Sequence, residues 1–293
     1  MQTFDLQSFR FHFTARDSIY FPAGQPGNIL RGALGTVFRQ IACAPDCPGL
    51  VGGNVRDCER RGACPYARIF EPASVGTGPS GLGDWPRPFV FRAAHLDGTT
   101  AGPEKDFWFD VNFFDTHDAP VQHFVLAFRQ LAQAGLGPQR GRAELVSTEH
   151  LASVSVLLDG VPADVRRLRV EFKTPTELKG GDRPEFGILF ARSRDRISTL
   201  RALYGPGPLE IDFRAMGARA NAVQMTRCEL RHVDAERRSS KTGQVHSIGG
   251  FVGVAEYEGE LGEFVPYLEA ASWTGVGRQC VWGKGELRVE IMG

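Results

Sequence analysis

A chain of 293 residues is long enough for two domains of ordinary size. Hydrophobic residues make up 42% of it and charged residues 23%, which is typical of a globular protein and excludes an intrinsically disordered one. The 34 basic and 34 acidic side chains cancel, so any binding of nucleic acid must depend on a local basic patch. No apolar run approaches the roughly 18 residues of a membrane helix, and the N-terminus has no signal-peptide pattern, so we expect a cytoplasmic protein without a membrane partner.

The first half of the chain predicts a strand, a helix, two strands, a helix and a strand, in that order. Its first segment alternates phenylalanine with polar residues, which is the pattern of a half-buried strand. The second segment has an apolar stripe at helical spacing with Asn28 as its predicted N-cap, and Gly135 ends the second helix. The predicted elements are Phe4–Thr14, Ile29–Ala42, Phe89–Phe91, Phe107–Phe114, Val121–Ala134 and Ala143–Leu158, the last being a strand or a hairpin.

The second half of the chain repeats the same order of elements. They are predicted at Leu168–Phe172, Ile188–Leu203, Ala222–Val233, Gly250–Tyr257, Glu263–Ser272 and Cys280–Ile291. A β-α-β-β-α-β unit that occurs twice predicts an α+β protein with two tandem ferredoxin-like domains. We expect these domains to cover residues 1–160 and 161–293, with a linker over residues 159–166.

Four of the six cysteines lie close together in an insertion of the first domain, over residues 43–66. Clustered cysteines in a cytoplasmic protein indicate a metal site more often than disulfides. Four thiolates can hold zinc tetrahedrally, although the spacing here is less regular than in the usual Cys-x2-Cys pairs. A structural zinc site and free thiols both stay open, with an iron–sulfur cluster as a lesser alternative. The candidate ligands are Cys43, Cys47, Cys58 and Cys64.

Glycines and cations occur together in three segments of the chain. Glycine lets a backbone approach phosphates closely, while arginine and lysine supply the positive charge. The segments are Gly135–Arg142, a basic hairpin tip over Glu236–His246, and Gly275–Gly285. We therefore predict phosphate contacts at Arg140, Arg142, Arg237, Arg238, Lys241, Gly275, Gly277, Arg278, Gln279 and Lys284.

The order of these segments resembles that of the CRISPR-associated endoribonucleases that process repeat RNA. These enzymes belong to the repeat-associated mysterious protein (RAMP) superfamily. Gly275–Gly285 is similar to the loop with which that group grips RNA near its C-terminus, Gly135–Arg142 to its first-domain glycine loop, and Pro26–Gly35 to its first helix. The opening of its second domain is similar to Phe172–Thr176, Phe186–Phe190 and Arg196–Leu200. The resemblance therefore covers most of the chain.

The resemblance implies an endoribonuclease that cleaves CRISPR repeat RNA, in hairpin form, without a catalytic metal. In that reaction a ribose 2′-hydroxyl attacks the neighbouring phosphorus, and the products are a 2′,3′-cyclic phosphate and a 5′-hydroxyl. The residues predicted to contact phosphates would bind this RNA, and the enzyme can retain its product. The alternative is a non-catalytic subunit that binds repeat RNA within a CRISPR ribonucleoprotein complex, with other effector subunits as its partners.

Members of the group often have a catalytic histidine on or just after the first helix, but Asn28–Ala42 contains none. Arg31 and Arg39 lie there instead, on about the same side of the helix, and can stabilise the charge of the transition state. A solvated helix face explains these two arginines equally well. His246, beside the basic hairpin tip, is the candidate acid or base, and Lys241 is a further candidate cation. We predict an arginine-assisted cleavage in which His246 takes part.

Overall fold

The structure is a computed structural model that describes residues 1–43, 55–74, 85–160, 164–181, 183–238 and 245–293. We refer to residues 1–160 as domain one and to residues 164–293 as domain two. Domain one contains β1 (Thr3–Ala15), β2 (Ile19–Tyr20), α1 (Pro26–Ala42), α2 (Pro65–Phe70), β3 (Phe89–Arg92), β4 (Thr100–Ala101), β5 (Asp106–Phe113), α3 (Val121–Ala134) and β6 (Ala143–Leu157).

The main sheet of domain one has the strand order β3-β5-β1-β6, and every neighbouring pair is antiparallel. Phe11 and Phe13 of β1 are buried in the same core cluster as residues of α1 and α3. Phe11, fully buried, pairs with Phe109 of β5, and their stacked rings have centroids 5.7 Å apart. On the opposite face Arg10 donates two hydrogen bonds to the carboxylate of Asp110, at 2.7 and 3.0 Å. The predicted alternation of apolar and polar residues in this strand is therefore confirmed.

Domain two contains β7 (Arg167–Thr176), α4 (Phe186–Tyr204), α5 (Phe213–Ala220), β8 (Gln224–Val233), β9 (Glu236–Arg238), β10 (Val245–Ser247), β11 (Gly250–Glu258), α6 (Val265–Thr274) and β12 (Leu287–Met292). Its main sheet has the order β12-β7-β11-β8, again antiparallel throughout. No helix within the described ranges is long and apolar enough to cross a lipid bilayer.

Both sheets place their four strands in the same order. The fourth strand of each β-α-β-β-α-β unit lies beside the first, the first beside the third, and the third beside the second. In each unit the two helices that connect the strands pack against each other, α1 on α3 and α4 on α6. The protein is therefore an α+β protein with two tandem ferredoxin-like domains, as the order of elements predicted.

Several predicted boundaries were wrong for local reasons. The first helix begins at Pro26 and its N-cap is Gln25, whereas Asn28 was predicted as the cap. Proline is favoured in the first turn, because its missing N–H has no partner there in any helix. The last strand begins at Leu287, and Cys280–Trp282 forms a short 3-10 helix that the sequence pattern had assigned to this strand.

The two domains share one continuous hydrophobic core cluster. Phe4 and Leu6 of β1 belong to the same cluster as Val276 and Leu287 of domain two. Polar contacts cross the boundary as well, because Arg92 of β3 reaches the end of α6. There it donates hydrogen bonds to the carbonyl oxygens of Ser272, at 3.1 Å, and Trp273, at 2.6 Å. Asn112 of β5 donates a further one to Trp273, at 2.9 Å. Carbonyls at a helix C-terminus lack partners within the helix, so domain one caps α6.

Candidate nucleic-acid interface

The stretch Gly275–Gly285, which we call the C-terminal glycine loop, follows α6. A Cβ atom at Gly277 would lie 2.3 Å from the carbonyl oxygen of Glu177, and one at Gly285 would lie 1.9 Å from that of Val276. The protein's own chain therefore requires these glycines, whereas the sequence had suggested the approach of a phosphate as the reason. The residues of the loop with a left-handed backbone are Gly275, Gly277, Gln279, Gly283 and Gly285.

The C-terminal glycine loop packs against the start of α1, so the two domains meet at this point. A Cβ atom at Gly27 would lie 2.4 Å from the carbonyl oxygen of Trp282. About one turn further along α1, the guanidinium carbon of Arg31 lies 5.5 Å from the centre of the Trp282 ring, within cation–π range. The structure therefore places Arg31, a predicted catalytic residue, beside the loop predicted to bind RNA.

Arg39 lies on α1 beside a tyrosine that sequence reasoning missed. Its guanidinium carbon is 5.3 Å from the ring centre of Tyr66, whose hydroxyl donates a hydrogen bond to Glu71 at 3.2 Å. Burial raises the pKa of Tyr66 to about 12 and the Glu71 charge adds to this effect, while the charges of Arg39 and Arg31 oppose it. Both arginines therefore act on one phenol, in agreement with their expected position on the same side of the helix.

The polar residues of the C-terminal glycine loop already have partners within the protein. Arg278 is 60% exposed and forms an ion pair with Glu177, at 2.7 Å. Gln279 donates a hydrogen bond from Nε2 to the carbonyl oxygen of Ser247, at 3.3 Å. Because Ser247 ends β10, this bond joins the loop to the basic hairpin. Arg278 must exchange a carboxylate for a phosphate if it binds RNA.

The basic hairpin consists of β9 and β10, whose backbones pair with His246 opposite Arg237. The strands confirm that a hairpin is present over the predicted segment. The side chains of Arg237, Arg238 and His246 lie outside the part that the structure describes, and so does the whole of Lys241. The roles predicted for these four residues stay predictions.

Lys284 lies at the end of the C-terminal glycine loop and is buried, with only 3% of its surface exposed. It lines a narrow cleft between the domains together with Asp97, Lys173, Arg231 and Trp282. Its ammonium group donates a hydrogen bond to the main-chain carbonyl of Gly24, just before α1. A lysine in this position is less available to a phosphate than the sequence suggested.

The glycine loop of domain one packs on the turn between β1 and β2. A Cβ atom at Gly141 would lie 2.3 Å from the carbonyl oxygen of Ser18. Arg142 donates hydrogen bonds to Asp17 from Nε, at 2.7 Å, and from its main chain, at 3.0 Å, and these bonds lower the pKa of Asp17 to about 2. Arg140 is exposed and has a left-handed backbone. Both predicted RNA-binding arginines of this loop are thus at the surface.

Three of the four candidate zinc ligands are described, and Cys47 lies outside the described residues. Cys43 directly follows α1, Cys58 is buried and Cys64 directly precedes α2. Within the described ranges no group of three or more histidine, cysteine, aspartate or glutamate side chains is arranged to hold a metal ion. Because Cys47 is not among those residues, the zinc site stays a prediction.

Two protein-family models match this chain in succession. The AF_1859_N model, described as an N-terminal domain, matches residues 4–166. The model of the CRISPR-associated endoribonuclease Cas6 matches residues 170–287, which include the C-terminal glycine loop. No curated protein sequence matches the chain.

Solved structures of similar fold cover nearly the whole chain. Thermus thermophilus Cas6 (TTHB231) aligns over 99% of this chain and 100% of its own, with a TM-score of 0.57 and 14% identity. A Cas6 (TTHA0078) product complex aligns over 98% of this chain and 99% of its own, with a TM-score of 0.56 and 17% identity. A structure described as a RAMP protein binding different RNA substrates aligns over 97% of this chain and 99% of its own, with a TM-score of 0.50 and 9% identity. At these identities the similarity shows a common fold.

Proposed function

We propose that this chain is a Cas6-type endoribonuclease that cleaves CRISPR repeat RNA, since the model of the Cas6 endoribonucleases matches residues 170–287. The observation that supports this most is the contact between the C-terminal glycine loop and α1. The guanidinium carbon of Arg31 lies 5.5 Å from the centre of the Trp282 ring. An RNA bound at the loop would therefore lie close to a positive charge of domain one. A nuclease needs such an arrangement, in which a backbone grip and charge stabilisation act on the same phosphate.

The proposed reaction needs no metal ion. The 2′-oxygen forms a bond to the adjacent phosphorus, the bond from phosphorus to the 5′-oxygen breaks, and the products are a 2′,3′-cyclic phosphate and a 5′-hydroxyl. A base accepts the 2′-proton and an acid supplies a proton to the leaving oxygen. We assign charge stabilisation to Arg31 and Arg39, and proton transfer to His246, with Lys241 as a further cation.

A second candidate function is binding of repeat RNA without cleavage, as a subunit of a CRISPR ribonucleoprotein complex. The observation that favours it is the composition of α1. The face of Pro26–Ala42 beside the C-terminal glycine loop presents Arg31, and the helix contains no histidine. Arginine is always protonated in proteins and is a poor acid or base, so α1 alone supplies binding and charge but no proton transfer.

One incubation separates the two functions. The purified protein is mixed with its cognate repeat RNA in EDTA, and the RNA ends are analysed. The nuclease gives a 2′,3′-cyclic phosphate and a 5′-hydroxyl at one position, and a 2′-deoxy substitution at that position abolishes cleavage. A gel shift of the cleaved RNA then shows whether the product is retained. Binding of intact RNA without cleavage on any repeat would establish the second function instead.

A further inference from the structure

Gly24, the residue two positions before α1, is held by charged side chains from both domains. Its main-chain N–H donates a hydrogen bond to the Asp97 carboxylate of domain one, at 2.5 Å. Its carbonyl accepts a hydrogen bond from the ammonium group of Lys284 in domain two. The backbone of Gly24 is left-handed, with φ of 71°, and a Cβ atom there would lie 3.1 Å from the Cβ of Ala235. Both polar groups of this one residue are therefore fixed, one by each domain.

The environment of Lys284 suits this contact better than a contact to RNA. Burial lowers the pKa of Lys284 to about 8, and the charge of Asp97 opposes that shift. The group is thus still mostly protonated at neutral pH, and a buried ammonium needs its hydrogen bond because an unpaired buried charge is costly. A phosphate that reached Lys284 would have to displace the Gly24 carbonyl. Lys173, by contrast, lines the same cleft and is 42% exposed.

Three contacts join the segment Trp282–Lys284 to the first turns of α1 and to the residue two positions before it. Gly24 accepts the bond from Lys284, Gly27 packs on the main chain of Trp282, and Arg31 lies over the Trp282 ring. Gly27 and Arg31, four positions apart, share a face of α1, and Gly24 directly precedes the N-cap of that helix, so these contacts act together on the placement of α1. The first of them determines where α1 begins relative to the C-terminal glycine loop.

We propose that Lys284 is a positioning residue, which holds Gly24 so that α1 presents Arg31 to RNA bound at the C-terminal glycine loop. Lys284 itself then makes no phosphate contact. The proposal rests on the proposed nuclease function, because the placement of Arg31 matters for the rate of cleavage. It replaces direct RNA binding as the role of this lysine.

The test is a double-mutant cycle between Lys284→Met and Arg31→Ala, with single-turnover cleavage and RNA affinity measured for each protein. Lys284→Met should lower the cleavage rate about tenfold or more, while the affinity changes less than about threefold and its salt dependence stays the same. In the Arg31→Ala variant the same substitution should lower the cleavage rate by less than about twofold, because Lys284 affects that rate through Arg31. Lys173→Met, in the same cleft, is the matched control, and its effect on the cleavage rate should be the same with and without Arg31→Ala.

A salt slope that falls by about one in Lys284→Met would show a phosphate contact and overturn the proposal. Additive effects on the rate would overturn it as well. If the wild type cleaves no repeat RNA, the proposed function fails, and hydrogen exchange then tests the positioning role by itself. Faster exchange of the first-turn amides of α1 in Lys284→Met, with α3 unchanged, supports the positioning role, and unchanged exchange in α1 refutes it.

Discussion

Arg31 of α1 lies over the ring of Trp282, and this contact joins the first helix of domain one to the last loop of domain two. Residues from opposite ends of the chain thus form one surface. Neither domain contains the candidate site alone, since α1 supplies the arginines and domain two supplies the C-terminal glycine loop and the basic hairpin.

The first prediction concerns the arginines. Arg39→Ala should lower the single-turnover cleavage rate by about 10²–10³, because a fixed positive charge beside the transition state is lost. Arg129→Ala, which removes an exposed arginine of α3, is the matched control and should cleave at the wild-type rate. A rate for Arg39→Ala within about twofold of the wild type would contradict the assignment.

The second prediction concerns His246. His246→Ala should lower the cleavage rate by about 10²–10⁴ and leave RNA affinity nearly unchanged, because one imidazole adds little to a grip made by several cations. The pH–rate profile should also lose the step that a histidine acid or base contributes. His232→Ala, on β8, serves as control. Full activity in the His246→Ala/Arg39→Ala double variant would refute both catalytic assignments.

The third prediction concerns the RNA grip. Arg278→Ala and Arg238→Ala should each weaken RNA binding and reduce its salt slope by about one released ion. Arg288→Ala, an exposed arginine on β12, should change neither quantity. Glu177→Gln should tighten binding, since Glu177 pairs with Arg278 in the free protein and competes with a phosphate. Unchanged affinity in both arginine variants would move the RNA site elsewhere.

The fourth prediction concerns the cysteines of domain one. If they bind a structural zinc ion, elemental analysis of protein purified without chelator should find about one zinc per chain. Chelation should then lower the melting temperature, because metal binding contributes to the free energy of folding. Cys58→Ser should abolish the metal content, whereas Cys228→Ser, in domain two, should leave it intact. Protein that contains neither zinc nor iron would rule the site out.

The fifth prediction concerns the pH dependence of stability. The folded protein holds the pKa of Lys284 at about 8, below its ordinary value of 10.5, so between these values the unfolded chain binds more protons. The free energy of unfolding should therefore rise with pH across this window, by up to about 3 kcal/mol. Chemical denaturation of the wild type and of Lys284→Met should show the rise in the wild type alone. Parallel curves for the two proteins would mean that Lys284 does not titrate in this range.

Much of the fold could be predicted because its signals are local. The alternation in β1 and the apolar stripe of α1 occur within single segments, and their order alone indicates the doubled ferredoxin-like topology. The short helix α5 was missed, although Asp212 is an N-cap whose side chain accepts hydrogen bonds from the main-chain N–H groups of Arg214 and Ala215. A helix of eight residues presents too few turns for its periodicity to be recognised.

The site was less predictable, because its geometry depends on contacts distant in sequence. Nothing near Lys284 in the sequence indicates that it is buried and bonded to the carbonyl of Gly24. A lysine between glycines is more typical of an exposed cation. Tyr66 was not predicted as a site residue, because it lies in the cysteine insertion, whose pattern indicates metal ligands. Only the packing of α2 on α1 brings this phenol to Arg39.

The hydrogen bonds from Arg92 and Asn112 to the end of α6 bear on the order of biosynthesis. Domain one leaves the ribosome first and, as N-terminal domains generally do, can fold while domain two is still being made. Its cap for α6 is then in place before α6 exists. When α6 is synthesised, Arg92 and Asn112 can donate hydrogen bonds to its last carbonyls at once. A fragment that begins at residue 164 lacks these donors. Expressed alone, that fragment should show a frayed α6 and a disordered C-terminal glycine loop.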